Sequence, residues 1–246
     1  MEAYTQDQYK ISIRLFGAVE LENSLGSAAE NPSRRSLSWL LLKYLLLNRG
    51  REVSQEELDT CLWTGAGEAC DEVAARVRLR RLREALRPLG LDGRRGLVLY
   101  SMGKYMINPQ IEIVSDEDEF RALLGRLRGL DQNAEEGPEL CRRALELMRG
   151  EYMHFCPDAA WLRPYREHYR HELAELAGDC IARCRALGQN GPMELLCRRC
   201  AAIIPENEAV HREILSRLME RGMQIELLHY VAQLTRGGGA DWIEKT

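Results

Sequence analysis

Near the start of the chain, apolar and polar side chains alternate over residues 10–16. Residues 10–16 place three apolar side chains on one face, which predicts a half-buried β-strand. Residues 19–21 form a second short apolar segment and predict a second strand. Residues 23–31 are rich in Ser, Gly, Ala and Glu and are predicted to form a loop.

Two helices are predicted after this loop. Residues 34–48 are apolar on most sides, which indicates a central helix. Ser54, with Glu57 three residues later, forms a capping-box pattern. This pattern predicts that a second helix starts there and continues to about Trp63.

The third predicted helix, about 71–87, combines an apolar stripe with an arginine-rich face. Its apolar residues recur at helical spacing, at Ala75, Leu79, Leu82 and Leu86. The other side carries Val73, Arg76, Val77, Arg80 and Arg81, flanked by Arg78 and Arg83. Arginine can bind guanine with two hydrogen bonds and can also pair with phosphate. The pattern therefore suits the major groove of DNA, with a solvated surface helix as the alternative.

A hairpin is predicted after this helix, with strands at 97–100 and 105–107 joined around Gly103. Helix, turn and recognition helix followed by a hairpin is the order of a winged helix-turn-helix. The strands before the first helix are typical of one subtype of that fold.

The chain from Ser115 onward shows only helical patterns, and no strand is expected there. Six helices are predicted, at 115–130, 138–148, 158–187, 192–204, 208–221 and 224–235. Gly188 and Gly222 lie 34 residues apart, and Glu-Leu-Leu follows each of them. A 34-residue helix-hairpin period is the signature of tetratricopeptide repeats, which stack to bury their apolar faces.

The charge distribution is uneven. The chain has a formal net charge of −4. Residues 73–104 hold nine Lys or Arg against two acids, a charge of +7, so the remainder carries −11. Exposed ion pairs contribute only about 0–1 kcal/mol each and would not explain this concentration of basic residues. The pattern favours one focused site for an anion over general attraction to nucleic acid.

Several classes of protein are disfavoured. The densest apolar run, 37–47, is too short to span a bilayer and contains Lys43. The first residues lack a secretion pattern, so a soluble cytoplasmic protein without membrane partners is expected. The sequence contains no Ser/His/Asp set, paired-carboxylate site or phosphate-binding glycine loop, so neither an enzyme nor a cofactor is expected.

The eight cysteines raise one alternative. In a chain of this length they do not indicate a disulfide framework. Cys180, Cys184, Cys197 and Cys200 have spacings that would let two helices offer four thiolates to zinc. The same spacings fit small core residues, which is the preferred interpretation, and no metal site is predicted.

The two halves together resemble the SARP-type (antibiotic regulatory protein) bacterial transcriptional activators over nearly the whole chain. The segments that carry the resemblance are 13–20 (IRLFGAVE), 40–48 (LLLKYLLLN), 53–58 (VSQEEL), 62–63 (LW), 81–86 (RLREAL), 103–105 (GKY), 147–151 (LMRGE) and 161–172 (WLRPYREHYRHE). The resemblance implies a mainly α chain with two domains. Residues 1–110 would form an OmpR-like winged helix-turn-helix, and residues 115–246 a tetratricopeptide-like bacterial transcriptional activator domain.

The candidate DNA contacts follow from this arrangement. Arg76 and Arg80 are expected at base edges, and Val77 at a thymine methyl group. The remaining candidates are Arg78, which flanks them; Arg81, Arg83, Arg94, Arg95 and Arg34, for phosphates; and Lys104 and Tyr105, in the wing. Two alternatives stay open: Arg81 and Arg83 could pair with Glu57 or Asp59, and Tyr105 could be a packing residue of the hairpin.

The predicted function is a sequence-specific DNA-binding regulator of transcription. The resemblance implies an activator that binds spaced direct repeats in promoter DNA as a homodimer and contacts RNA polymerase through its helical half. The alternative is an interaction module that has lost specific DNA binding. A tetratricopeptide-like stack could also bind a peptide or a small effector.

Overall fold

The structure is a computed structural model that describes residues 10–31, 36–63, 72–91, 96–156, 159–188 and 193–236. It divides into two compact units. The first comprises Met1–Asp118 and Tyr152–Pro164, and the second comprises Glu119–Glu151 and Tyr165–Thr246. The sequence-based domains, 1–110 and 115–246, stay a prediction, and the compact units differ from them because residues 152–164 return to the first unit.

A four-stranded sheet begins the first unit, in the order β3-β2-β1-β7. Its strands are β1 (Lys10–Arg14), β2 (Glu20–Asn23), β3 (Gly26–Ala29) and β7 (Glu112–Ser115). The prediction of two strands is confirmed, because Ile11 and Ile13 are buried as the alternation requires. The prediction of a loop over 23–31 was wrong for β3. The Asn23 side-chain oxygen accepts hydrogen bonds from the backbone N–H groups of Leu25 and Gly26 and closes a hairpin turn.

The parallel strand β7 closes this sheet beside β1. Directly after β7, the buried Asp116 carboxylate accepts hydrogen bonds from the backbone N–H groups of Leu15 (2.7 Å) and Phe16 (3.1 Å). Tyr152 forms an isolated antiparallel bridge with Phe16, and its hydroxyl donates to Glu117 at 2.6 Å. Segments that are 100 or more residues from β1 in the sequence therefore contact the end of that strand.

Three helical segments follow the first strands. They are α1 (Leu37–Leu47), α2 (Gln55–Leu58), which continues as one π-helical turn (Asp59–Trp63), and α3 (Glu72–Ala85), followed by a 3-10 turn (Arg87–Leu89). All four residues of the predicted apolar stripe of α3 are buried. Helix α3 packs against α1, which is buried on most sides, as predicted for a central helix.

A second, antiparallel sheet has the strand order β4-β6-β5. It contains β4 (Val53–Ser54), β5 (Val98–Ser101) and β6 (Lys104–Ile107). Met102 and Gly103 connect β5 to β6 with φ angles of +49° and +77°. Two consecutive left-handed residues form the tight turn whose twist suits a hairpin, so the predicted hairpin around Gly103 is confirmed.

The second unit is helical. Its elements are α4 (Asp116–Arg128), α5 (Gly137–Leu147), α6 (Arg163–Ala186), α7 (Met193–Ile203), α8 (Glu208–Glu220) and α9 (Gln224–Arg236), with the first residues of α4 and α6 belonging to the first unit. Gly188 and Gly222, after the ends of α6 and α8, both have left-handed backbones, with φ of +65° and +67°. The two glycines that are 34 residues apart therefore form equivalent turns, one between α6 and α7 and the other between α8 and α9. The chain is mostly helical with small sheets, as predicted.

None of the helices in the described part of the chain is long and apolar enough to cross a membrane.

A buried ion pair ties the first sheet to α1. Lys43, in the middle of α1, is 0% exposed, and its ammonium lies 2.6 Å from the carboxylate of Glu30. Glu30 follows β3, and its backbone N–H donates to the carbonyl of Val19. Removing one member of such a pair leaves a buried charge without compensation.

We expect Lys43→Met to lower the free energy of unfolding by about 3–5 kcal/mol, because Glu30 then stays buried without its counter-charge. Urea denaturation measures the change. The double variant Lys43→Met/Glu30→Leu should recover most of the loss, since a buried pair can be replaced by apolar side chains.

The matched control is Lys10→Met, which removes a lysine from an exposed pair with Glu112. It should change stability by less than about 1 kcal/mol. An equal effect of Lys43→Met and Lys10→Met would show that the buried pair does not hold the unit together.

Candidate nucleic-acid interface

Five exposed arginines lie on one side of the first unit, and we call them the basic surface. They are Arg76, Arg80, Arg81 and Arg83 of α3, and Arg87 of the 3-10 turn that follows. Burial of the apolar stripe of α3 against α1 leaves these side chains toward solvent. Val77 is half-buried between them. Arg87 was not among the contacts predicted from the sequence.

Arg78 does not belong to the basic surface. It is 6% exposed, whereas its neighbours on the helix are solvated. The sequence contains the signal for this burial, because Arg78 follows Ala75 by three residues and precedes Leu82 by four. It therefore borders the apolar stripe. This is a correction to its predicted role, since a buried guanidinium does not reach DNA in this conformation.

Two of the exposed arginines make contacts that are weak or local. Arg80 lies 3.7 Å from Glu84, and both side chains are exposed, so this pair adds little stability. The Arg83 guanidinium donates to the carbonyl of Val98 at 3.5 Å, next to the hairpin. The acids named in the alternative interpretation have other partners: Glu57 binds Arg51, and Asp59 accepts from Gln55.

A polar cluster positions the short helix that precedes α3. The backbone N–H of Glu57 donates to the Ser54 hydroxyl at 3.1 Å, which confirms the predicted N-cap. The Glu57 carboxylate accepts from the Tyr44 hydroxyl of α1 (2.7 Å) and from Arg51 (2.8 Å). It therefore joins two helices and the turn between them.

These contacts shift the pKa values of the Glu57 carboxyl and the Tyr44 hydroxyl. The hydrogen bond from Arg51 holds the pKa of Glu57 below its usual value. Burial, together with the nearby Cys61 and Glu57, raises the pKa of Tyr44. At neutral pH the phenol is the donor and the carboxylate is the acceptor.

The two predicted DNA contacts of the hairpin, Lys104 and Tyr105, differ in their exposure to solvent. Lys104 is exposed and lies 2.6 Å from the exposed Glu52. Tyr105 is 1% exposed, and its hydroxyl donates to the Gln55 side chain at 3.0 Å. The packing alternative for Tyr105 is therefore favoured, which corrects its assignment as a DNA contact. The tip of the hairpin is Met102, which is 97% exposed and was not among the predicted contacts because it carries no charge.

Three predicted phosphate contacts, Arg34, Arg94 and Arg95, lie outside the described residues.

The four cysteines considered for zinc are buried in the second unit. Burial raises the pKa of both Cys197 and Cys200 to about 12, which keeps these thiols protonated. Within the described ranges, no group of three or more His, Cys, Asp or Glu side chains is arranged to hold a metal ion. The described residues thus provide no support for the zinc alternative.

Comparison with known proteins identifies a similar fold. No protein-family model and no curated protein matches the chain. Among solved structures, the chain is similar to Mycobacterium tuberculosis EmbR in complex with a low affinity phosphopeptide, with a TM-score of 0.62 and 17% sequence identity. The similarity covers 94% of this chain and 60% of the EmbR chain, so this chain spans about three-fifths of EmbR. At this identity the comparison shows the fold alone, so the chain shares the fold of the matching part of EmbR.

The lowered pKa of Glu57 predicts how acid affects the first unit. Its folded pKa lies below the unfolded value of about 4.3, so the stabilisation is complete above that pH and is lost as pH falls through the folded pKa. We expect Glu57→Gln to reduce stability at pH 7 and to flatten the loss of stability below about pH 4.3. Urea denaturation across this range measures both effects.

Glu56→Gln is the control, since Glu56 is exposed in the same short helix. It should change the stability at pH 7 by no more than about 0.5 kcal/mol. A pH profile of Glu57→Gln that parallels the wild type would contradict the assigned role of the carboxylate.

Proposed function

We propose that the chain is a sequence-specific DNA-binding regulator of transcription, whose first unit is an OmpR-type winged helix-turn-helix. One observation carries this proposal: four of the five arginines of the basic surface lie on a helix whose other side is buried against α1, and the fifth lies in the turn that follows. A rigid helix with solvated arginines matches the width and the acceptor groups of the DNA major groove.

The order and pairing of elements support the winged-helix assignment. Helix α2 is fixed to α1 through Glu57, and α3 packs on α1, so the pair α2 and α3 has a rigid base. The hairpin of β5 and β6 follows α3 and pairs with β4. In such a unit the third helix enters the major groove and the hairpin acts as the wing.

Burial refines the roles within the proposed interface. Arg76 and Arg80 are the candidates for base edges, and the half-buried Val77 for a thymine methyl group. The candidates for phosphate contacts are Arg81 and Arg83, toward the C-terminal end of α3, and Arg87, in the turn after it. Lys104 and the exposed tip residue Met102 are the wing candidates.

The charge distribution supports a specific site over general attraction. Residues 73–104 carry +7 within a chain of −4. The negative remainder opposes contact with DNA elsewhere, so the basic segment alone determines how DNA approaches.

The proposal includes further partners that rest on the resemblance to SARP-type activators. These are spaced promoter repeats, a second copy of the chain and RNA polymerase, the last contacted by a tetratricopeptide-like second unit. The protein would act in the cytoplasm as an activator, without enzymatic activity, cofactor or metal. The competing function is an interaction module without specific DNA binding.

We expect Arg76→Ala/Arg80→Ala to abolish sequence preference. The substrates are duplexes selected from a random library by the wild-type protein, with random duplex as competitor. Each bidentate contact contributes about 1–3 kcal/mol of discrimination, so the preference should fall at least tenfold. Fluorescence anisotropy measures the affinities.

The matched control, Arg142→Ala/Arg143→Ala, removes two arginines from α5 in the second unit. It should leave the preference unchanged. If the wild-type protein selects no sequence and binds no duplex at low salt, the interaction-module alternative replaces the proposal.

We expect Arg81→Gln/Arg83→Gln to weaken binding to selected and random duplexes alike. Loss of two phosphate contacts should reduce the slope of log affinity against log salt by about 1.8. Tyr105→Phe should leave affinity and slope unchanged, since its buried hydroxyl bonds Gln55. A change of slope in Tyr105→Phe, or none in the double variant, would contradict the assigned contacts.

A further inference from the structure

Residues 152–164 belong to the first unit although they follow a part of the second in the sequence, and we call them the return segment. The chain leaves the first unit after Asp118 and comes back to it only at Tyr152. The structure describes the return segment except for residues 157–158. The DNA-binding proposal gives this segment no role, yet it is part of the unit that carries the basic surface.

The start of the return segment is held by backbone hydrogen bonds to the residues that follow β1. The N–H of Met153 donates to the carbonyl of Leu15 at 2.8 Å, and the N–H of His154 donates to the carbonyl of Gly17 at 2.9 Å. Met153 is fully buried and has a φ of +50°, which residues other than glycine rarely adopt. Such a backbone conformation persists only where the surroundings fix it, so this end of the segment has a defined position.

The end of the return segment packs on α1. The centroid of the Trp161 ring lies 5.2 Å from that of the Tyr44 ring, and the two planes meet at 86°. This is the edge-to-face arrangement that aromatic rings favour. Tyr44 is buried, and the next residue of the segment, Leu162, is fully buried as well. The contact with the indole therefore limits the orientations that the Tyr44 ring can adopt.

Tyr44 connects this contact to the helix that precedes α3. Its hydroxyl donates to the Glu57 carboxylate of α2 at 2.7 Å and lies 3.4 Å from the Sγ atom of Cys61. Cys61 belongs to the π-helical turn that continues α2. One phenol thus contacts both the short helix and the turn of the proposed helix-turn-helix. The orientation of its ring bears on the position of both.

A second aromatic pair in the same unit provides a contrast. Phe16 and Tyr152 also pack edge to face, with centroids 5.6 Å apart, and the Tyr152 hydroxyl donates to Glu117. None of these three residues belongs to α1, α2 or α3. Loss of this pair would weaken the unit without a direct effect on α2. Trp161, by comparison, contacts the residue that holds α2.

We propose that Trp161 is a positioning residue for DNA binding, which acts through Tyr44 to fix α2 and the turn after it. The inference rests on the proposed function and deepens it, because the DNA-binding unit then includes the return segment. Without the indole, the Tyr44 ring gains other orientations and holds Glu57 less firmly. Binding to DNA must then order α2 and its turn, which lowers the affinity.

Hydrogen–deuterium exchange of the full chain tests the positioning role. Trp161→Leu should speed exchange in residues 55–63 about two- to tenfold, which corresponds to the loss of one edge-to-face pair. Exchange in β1 should stay within about twofold of the wild type. The Kd for a duplex selected by the wild-type chain should rise about two- to tenfold as well. Trp161→Phe should restore both values, because a phenyl ring keeps the edge-to-face contact.

Tyr44→Phe separates positioning from a general contribution to stability. It keeps the ring against Trp161 and removes the hydrogen bond to Glu57. In this background, Trp161→Leu should change exchange in residues 55–63 and the Kd by less than about twofold, because both substitutions break the same connection. The matched control is Tyr165→Leu, which removes an exposed aromatic ring just after the return segment and should behave as the wild type.

Three results of the exchange experiment would overturn the proposal: an equal increase in β1 and in residues 55–63, no increase in Trp161→Leu, or additive effects of Tyr44→Phe and Trp161→Leu. An unchanged Kd in Trp161→Leu would also overturn it, because DNA binding would then not depend on the position of α2. If the wild-type chain binds no duplex, the proposed function fails. Faster exchange confined to residues 55–63 would still support the contact through Tyr44, so the two failures can be told apart.

Discussion

The arginine-bearing face of α3 is set by the burial of its other side against α1. Ala75, Leu79, Leu82 and Leu86 are all buried, and each buried leucine contributes about 1.5–3 kcal/mol relative to exposure. This packing sets the rotation of the helix about its own axis. A rotation by one residue would expose a leucine and bury a second arginine, at a cost of several kcal/mol. The selection of arginines that face solvent is thus a consequence of the core.

Long-range polar contacts then hold the elements around this helix pair. Asp116 binds two backbone N–H groups of the first strand, and Lys43 binds Glu30 inside the unit. Glu57 links α1, the following turn and α2. Each contact joins residues from different elements, so the unit resists separation of its parts. A firmly held α3 avoids part of the ordering cost of binding DNA, which favours affinity.

Patterns of local origin were predictable from the sequence. The stripe of α3, the cap at Ser54 and the hairpin at Gly103 depend on residues that are neighbours in the chain. The burial of Tyr105 depends on a tertiary contact with Gln55, 50 residues away. The bridge between Phe16 and Tyr152 likewise has no local signal.

The remaining features of the sites had different origins. Arg78 was misassigned because charge was given more weight than helical position. Strand β3 is short and made of Gly, Ser and Ala, so its composition resembles a loop.

An NMR titration of the arginine side-chain Nε–H signals with a selected DNA duplex would show directly whether the exposed face of α3 binds DNA. We expect large shifts for Arg76, Arg80, Arg81 and Arg83, with the signal of the buried Arg78 nearly unchanged. Shifts confined to arginines of the second unit, or equal shifts for Arg78 and Arg80, would contradict it.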